Sequence, residues 1–247
     1  MDDNSIGEGD VNAIHAARDG KVWMTLRFGG LNSYDPHTDQ FQRYPVPTLS
    51  FRSNPGAHGL YEDQNKILWV GADHFRLLSF DLSTEQYTSY TPSWIDAEKH
   101  GGRLIIMSIV EDKQDTSILW LSVLGYGHED AIYPSYGLVS FDKRNKTFTA
   151  YPCFGTTKYQ DPNGILYGNV WGNLISRFDP QTMQCDTFHH EVAYKDQLIK
   201  HLSHDILSYQ DKLYVTFSKA LLHFTDAGDF NIITSPEKDE ISFISLF

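Results

Sequence analysis

An all-β protein, a β-propeller built from about five four-stranded antiparallel blades, is the fold that the sequence predicts. Three observations carry that expectation. The chain repeats itself at a period near 46 residues. Each repeat holds four short runs of alternating aromatic or β-branched residues, split by turn formers such as Asp19-Gly20, Pro36, Asn163-Gly164 and Ala227-Gly228. No run of about ten residues or more sustains an apolar stripe at helical spacing with a capped start. The weak helical candidates, Ser93 to Lys99 and Glu191 to Lys200, fall between repeats.

The first repeat reads Val11-Asn-Ala-Ile14, Arg18-Asp-Gly-Lys-Val-Trp23-Met-Thr25, Gly30-Leu-Asn-Ser-Tyr34-Asp35 and Phe41-Gln-Arg-Tyr44-Pro45. The second carries Tyr61-Glu-Asp63, Ile67-Leu-Trp69-Val, Leu78-Ser-Phe80-Asp81 and Tyr87-Thr-Ser-Tyr90. The third carries Ile109-Val-Glu-Asp112, Ile118-Leu-Trp120-Leu, Leu138-Val-Ser-Phe141-Asp142 and Phe148-Thr-Ala-Tyr151-Pro152. Tyrosine replaces the tryptophan in the last two, at Ile165-Leu-Tyr167 and Leu213-Tyr214-Val, followed by Ser176-Arg-Phe178-Asp179 and Leu222-His-Phe224-Thr-Asp226. The steps from one of these aromatics to the next are 46, 51, 47 and 47 residues.

Naming the four strands of a unit A to D, the pattern predicts blades near 9–48, 56–92, 104–152, 156–190 and 202–235, after a tail over 1–8. A sheet this small cannot bury both of its faces alone, so such units stack around an axis. The Trp or Tyr of strand B and the aromatic before Asp on strand C are expected to fill the gaps between blades, each burying roughly 150–250 Å². The aspartates that follow, Asp35, Asp81, Asp142 and Asp179, are expected to accept N–H groups of the C-to-D turn. Asp239 to Leu246 reads as strand A of a further, truncated repeat over 236–247, which favours a piece of a longer array over a self-contained ring.

Composition narrows the function classes. With 247 residues, 40% apolar, and 5 Trp, 14 Tyr and 15 Phe, the chain has the makings of a packed core and not of a disordered tail. Twenty basic against 32 acidic side chains give a net charge of -12, which repels a phosphate backbone or an anionic membrane surface, so no nucleic acid is expected as a partner. The densest apolar run, Leu104 to Val110, is far short of the roughly 20 residues that span a bilayer, and no membrane insertion is expected. Met1 to Asp10 is acidic, with neither the basic start nor the apolar stretch of a signal peptide, so composition leaves both export and a cytoplasmic location open. Cys153 and Cys185 form no metal motif and are expected as two small, partly buried apolar residues.

These repeats resemble the two-component regulator propeller repeat, whose pattern runs Val-x-Ala-Ile, Asp-Gly-x-Leu-Trp-Ile-x-Thr, Gly-Gly-Leu, Tyr-Asp, then Phe-x-x-Tyr. The first copy matches through Asp19, Gly20, Trp23, Thr25, Gly29, Gly30, Leu31, Tyr34, Asp35, Phe41 and Tyr44, and the resemblance spans about residues 9 to 233. The fifth copy departs most, with a short A-to-B turn and Ser218-Lys219 in place of Gly-Gly. WD-repeat and kelch signatures are absent. The resemblance implies the sensor region of a hybrid histidine kinase, in the periplasm or outside the cell, joined to neighbouring domains of a larger sensor protein.

In an antiparallel blade the D-to-A connections and B-to-C turns share one face. That face carries the long loops: Pro45 to Gly56, Thr91 to Arg103, His189 to Ser203, and a B-to-C turn swollen by Leu124 to Tyr136. Extra length on one side of a rigid scaffold marks a binding surface. Its candidate ligand-binding residues are Arg27, Arg52, His58, His74, Arg76, Trp94, His100, Tyr126, His128, Tyr133, Trp171 and His204. Tryptophan and tyrosine there suit stacking on sugar rings, and arginine or histidine suits acidic groups.

Enzyme signatures are sparse. His128-Glu129-Asp130 packs three metal-ligand types together, but consecutive residues rarely converge on one ion. Gly125-Tyr-Gly127 lacks the third glycine of a nucleotide loop, and no Gly-x-Ser-x-Gly elbow occurs. No catalytic residue, metal or cofactor is expected. The leading expectation is a sensor segment binding a small molecule or oligosaccharide on the long-loop face. The alternatives are a protein-interaction scaffold and a propeller lyase of the streptogramin-inactivating type, which is distantly similar.

Overall fold

The computed structural model describes residues 4–27, 29–46, 59–72, 75–95, 104–125, 137–153, 155–170, 174–189, 193–194, 197–198, 203–209, 212–217, 220–224 and 230–233. Among them there is no helix. The fold is that of a β-propeller: five four-stranded antiparallel sheets, each with its strands in chain order. The chain divides into two compact units, Met1–Glu111 with Ser117–Ala150, and Asp112–Thr116 with Tyr151–Phe247.

The first unit holds three sheets. They are β1 (Val11–Ala16), β2 (Val22–Leu26), β3 (Gly30–Asp35) and β4 (Gln40–Tyr44); β5 (Leu60–Glu62), β6 (Ile67–Ala72), β7 (Arg76–Asp81) and β8 (Gln86–Tyr90); and β9 (Leu104–Glu111), β10 (Ile118–Gly125), β11 (Gly137–Asp142) and β12 (Thr147–Tyr151). Period-2 alternation gives every sheet a leading face, toward the sheet before it, and a trailing face, toward the sheet after it. Trp23 and Tyr44 project from the trailing face of the first sheet onto Phe80 on the leading face of the second, with ring centroids 5.5 and 5.0 Å apart, and Phe80 in turn meets Tyr87. The same wedge recurs one sheet on, where Trp69 and Tyr90 lie 5.7 and 5.1 Å from Phe141, which meets Phe148. Phe80 and Phe141 are fully buried. Close approach of the inner strands also needs a missing side chain: a Cβ at Gly71 would stand 2.7 Å from the Ile106 carbonyl oxygen.

The second unit holds β13 (Thr156–Gln160), β14 (Leu166–Val170), β15 (Leu174–Asp179) and β16 (Gln184–His189), a two-residue ribbon of β17 (Ala193–Tyr194) and β18 (Gln197–Leu198), and β19 (Ser203–Tyr209), β20 (Lys212–Phe217), β21 (Ala220–Phe224) and β22 (Phe230–Ile233). The ribbon replaces the weak helical signal over Glu191 to Lys200. Tyr151 packs against Phe178 at 5.1 Å. Cys153 and Cys185 are not separate apolar residues, as the sequence suggested, but a disulfide with Cα atoms 5.5 Å apart. Register explains the pairing. Cys185 lies opposite Phe178 as Tyr87 lies opposite Phe80, and Cys153 follows Tyr151 as Val46 follows Tyr44. Tyr87 donates its hydroxyl to the Tyr44 carbonyl, and a covalent bond stands at the corresponding place in the fourth sheet.

The turns follow their aspartates. Asp35, Asp81, Asp142 and Asp179 each accept N–H bonds from the residues two or three further on, such as Ser83 to Asp81 at 2.8 Å. The Ser83 N–H, against a smaller opposing effect of burial, holds the Asp81 carboxyl below the usual carboxylate range, and Gln181 does the same for Asp179. Each such turn closes on a residue of positive φ, namely Asp39, Glu85, Lys146 and Met183.

The A-to-B turn has its own aspartate. Asp63 Oδ1 accepts the N–H groups of Asn65 and Ile67, and Oδ2 accepts the Trp69 indole N–H at 2.9 Å. In the first repeat the position is Ala17, whose turn closes on Lys21 as that of Asp63 closes on Ile67. Trp23 Nε1 is therefore buried without a partner.

Ala17→Asp should supply that partner and raise the unfolding free energy by about 1 kcal/mol in urea titration. Replacing Cys153 and Cys185 by serine, or reducing the pair with a dithiol, should lower it by about 3–4 kcal/mol, the chain-entropy value for such a loop.

Candidate functional site

Of the residues singled out by the sequence for the long-loop face, the structure places Arg27, Arg76 and Trp94, and the backbone of His204. Arg27 directly follows β2, where its N–H bonds the Asp10 carbonyl and its guanidinium lies 3.4 Å from the Asp10 carboxylate. Arg76 opens β7, directly after Phe75. Phe75 is fully buried at positive φ, and its N–H bonds the Leu104 carbonyl, which pins the β6–β7 turn to the third sheet. Trp94 packs edge-on against Phe75 at 5.5 Å and stays 40% exposed. Arg76 and Trp94 thus both lie at the end of the second sheet where Phe75 is buried, Arg76 next to it in sequence and Trp94 packed on its ring. The sequence reading missed Phe75, although its place in the β6–β7 turn was open to inspection.

His204 lies in β19 at an extra residue, since Ser203 and Asp205 pair with Phe217 and Thr216 in consecutive register. Asn12 and Met107 hold the matching places in β1 and β9. Such bulges re-aim the chain at the rim of a sheet. Arg52, His58, His74, His100, Tyr126, His128, Tyr133 and Trp171 lie outside the described residues.

The opposite end of the first unit holds a group of charges that the sequence reading did not single out. Lys143 Nζ lies 2.7 Å from Glu111 and 3.2 Å from Asp63, with the three side chains 12%, 6% and 2% exposed. Tyr61 donates its hydroxyl to the other Glu111 oxygen at 2.9 Å; burial, then this bond, pushes the phenol pKa up and keeps it protonated. Glu62 accepts the Arg18 N–H at 3.0 Å and lies 3.3 Å from His15 Nε2. The second unit repeats the device in neutral form, where Gln160 accepts the Lys113 N–H and donates to Asp112 and to the Gly164 carbonyl. The recurring signal was in the sequence as Glu62-Asp63, Glu111-Asp112 and Gln160-Asp161. These contacts tie strand A of one repeat to the A-to-B turn of the repeat before it, so their chemistry is that of a latch. Among the described residues no three His, Cys, Asp or Glu side chains gather as a metal site.

Comparison with solved structures finds the same fold in other proteins. The extracellular domain of a hybrid two-component system from B. thetaiotaomicron aligns over 100% of this chain and 32% of its own, at 15% identity and a TM-score of 0.70. A second such domain, of a one-component system from the same organism, aligns over 96% of this chain and 31% of its own, at 16% identity and a TM-score of 0.67. Virginiamycin B lyase from Staphylococcus aureus aligns over 92% of this chain and 71% of its own, at 13% identity and a TM-score of 0.66. The chain is thus similar in fold to the two-component regulator propeller sensor regions, and it spans about a third of the length of the sensor structures it matches. No family model and no curated protein matches the sequence.

Lys143→Met leaves two buried carboxylates without their cation and should cost about 3–5 kcal/mol, read from urea unfolding followed by tryptophan fluorescence.

Proposed function

We propose that this chain is the ligand-binding segment of a two-component sensor, taking a small molecule or glycan on the face that carries the long loops. The observation that carries the reading is the fold shared with two bacterial sensor ectodomains over nearly the whole chain. Trp94 on Phe75, with Arg76 beside it in sequence, supports the choice of face, because an exposed indole on a rigid support suits the flat side of a sugar ring. Ligand acts by differential binding: it favours one geometry of the array and of the domains joined to it, and only that difference is transmitted. The working compartment is the periplasm or the cell exterior. The two sensor neighbours are extracellular domains, and the Cys153–Cys185 disulfide suits an oxidising environment. The chain has no described helix long and apolar enough to cross a membrane.

Calorimetric or thermal-shift screening against neutral and acidic oligosaccharides should find a ligand that raises the melting temperature. Trp94→Ala should weaken its binding roughly tenfold or more, in line with about 1–2 kcal/mol for an aromatic contact. No response across a broad panel counts against this reading. The lyase fold match motivates a second reading, for which magnesium-dependent cleavage of a streptogramin, lost on substituting His128 or His204, is the required observation.

A further inference from the structure

Trp94 stands at the tip of a short turn whose two ends are anchored. The Ile95 N–H bonds the Pro92 carbonyl at 3.1 Å, which makes Pro92 to Ile95 a β-turn with Ser93 and Trp94 at its centre. Pro92 is buried, and Ile95 packs on the core that the second and third sheets share. Between these two anchors Ser93 and Trp94 are exposed.

Phe75, beneath the indole, has a backbone conformation that its side chain disfavours. Its φ is 55°, and the other described non-glycine residues of positive φ, Asp39, Lys66, Glu85, Lys146 and Met183, are all exposed in turns. In the first and third repeats the left-handed residue where strand C begins is a glycine, Gly30 at φ 69° and Gly137 at φ 61°. In the second repeat it falls one place earlier, on Phe75, which stands as far from Trp69 as Gly29 stands from Trp23. Glycine adopts such a φ without crowding, whereas a bulky residue keeps it only where its surroundings hold it.

Three contacts hold Phe75. Its N–H bonds the Leu104 carbonyl, and its ring meets Phe148 edge-on at 5.9 Å and Trp94 edge-on at 5.5 Å. The first two join it to the third sheet, as for any core residue. The third reaches out of the core to a side chain that is 40% exposed. An edge-on contact covers at most one face of the indole, so at least one face lies outside it.

We propose that Phe75 is a positioning residue for the binding face: it fixes the Trp94 indole in one place and orientation, so that a sugar ring meets a preformed flat platform. This rests on the sensor reading above. A tryptophan already held in one rotamer loses no further side-chain freedom when a ring stacks on it, so the cost of ordering falls on folding and not on binding.

Heteronuclear NOE measurement on the indole N–H groups of the full chain tests the positioning without any ligand. The Trp94 signal is assigned by its loss in Trp94→Phe. In the wild type its NOE should match that of buried Trp23. Phe75→Leu, which keeps an apolar side chain in the core, should lower the Trp94 value and leave that of Trp23 unchanged. Affinity is the second readout, with cellohexaose, xylohexaose and chitohexaose as probes. Any of these that the wild type binds should bind Phe75→Leu roughly threefold to tenfold more weakly. A mobile Trp94 indole in the wild type overturns the proposal. So does a Phe75→Leu variant whose melting temperature falls while Trp94 stays as ordered as Trp23, for Phe75 is then a core residue alone. Equal affinity of wild type and Phe75→Leu for a bound probe overturns it as well. A Trp94 indole that is ordered in the wild type and loosened by Phe75→Leu, with no response to any probe, supports the positioning role and counts against the sensor reading instead.

Discussion

The structure depends on one contact, the aromatic wedge in which a strand-B tryptophan and a strand-D tyrosine press on the strand-C phenylalanine of the next sheet. A four-stranded sheet has two faces and too little chain to cover either, so the sheet alone is not a stable object. Trp69, Tyr90 and Phe141 solve that problem for the second and third sheets, as Trp23, Tyr44 and Phe80 do for the first and second. Everything else is placed by that contact. It sets the spacing at which Gly71 must lack a side chain and at which Lys143 reaches both Glu111 and Asp63.

Around the wedge the repeats vary in how they hold together, and the variation is informative. A buried ion cluster locks the second and third repeats, an amide locks the fourth, and a disulfide stands where the second repeat uses Tyr87. This latch of side chains sits near the A-to-B turns, whereas the opposite end of the second sheet is held by buried Phe75 and its N–H bond to the Leu104 carbonyl. Arg76 and Trp94 lie at that opposite end.

Much of the fold was legible because its determinants are local and repeated. The strand-B aromatics and the turn aspartates recur at fixed offsets, and each does in space what its neighbours in sequence suggest. Cys153 and Cys185 were misread because they are 32 residues apart and their pairing depends on strand register. Only the alignment of Cys185 with Tyr87 and Phe148 reveals that both sit on the contact surface. Lys143 was missed for a related reason, since it lies in a turn just after Asp142 and nothing around it in sequence says that Glu111 of its own repeat and Asp63 of the repeat before converge on it. In the candidate site, Trp94 and Arg76 were chosen for their chemistry, but the support under Trp94 is Phe75, an apolar residue that a search for polar groups passes over.

The central claim is that the wedge couples adjacent sheets energetically, beyond the burial of each ring. A double-mutant cycle on Trp69 and Phe141, with alanine at each and at both and stability read by urea unfolding, measures it directly. The account predicts a coupling energy of about 1 kcal/mol or more. Losses that add to within about 0.3 kcal/mol would contradict it.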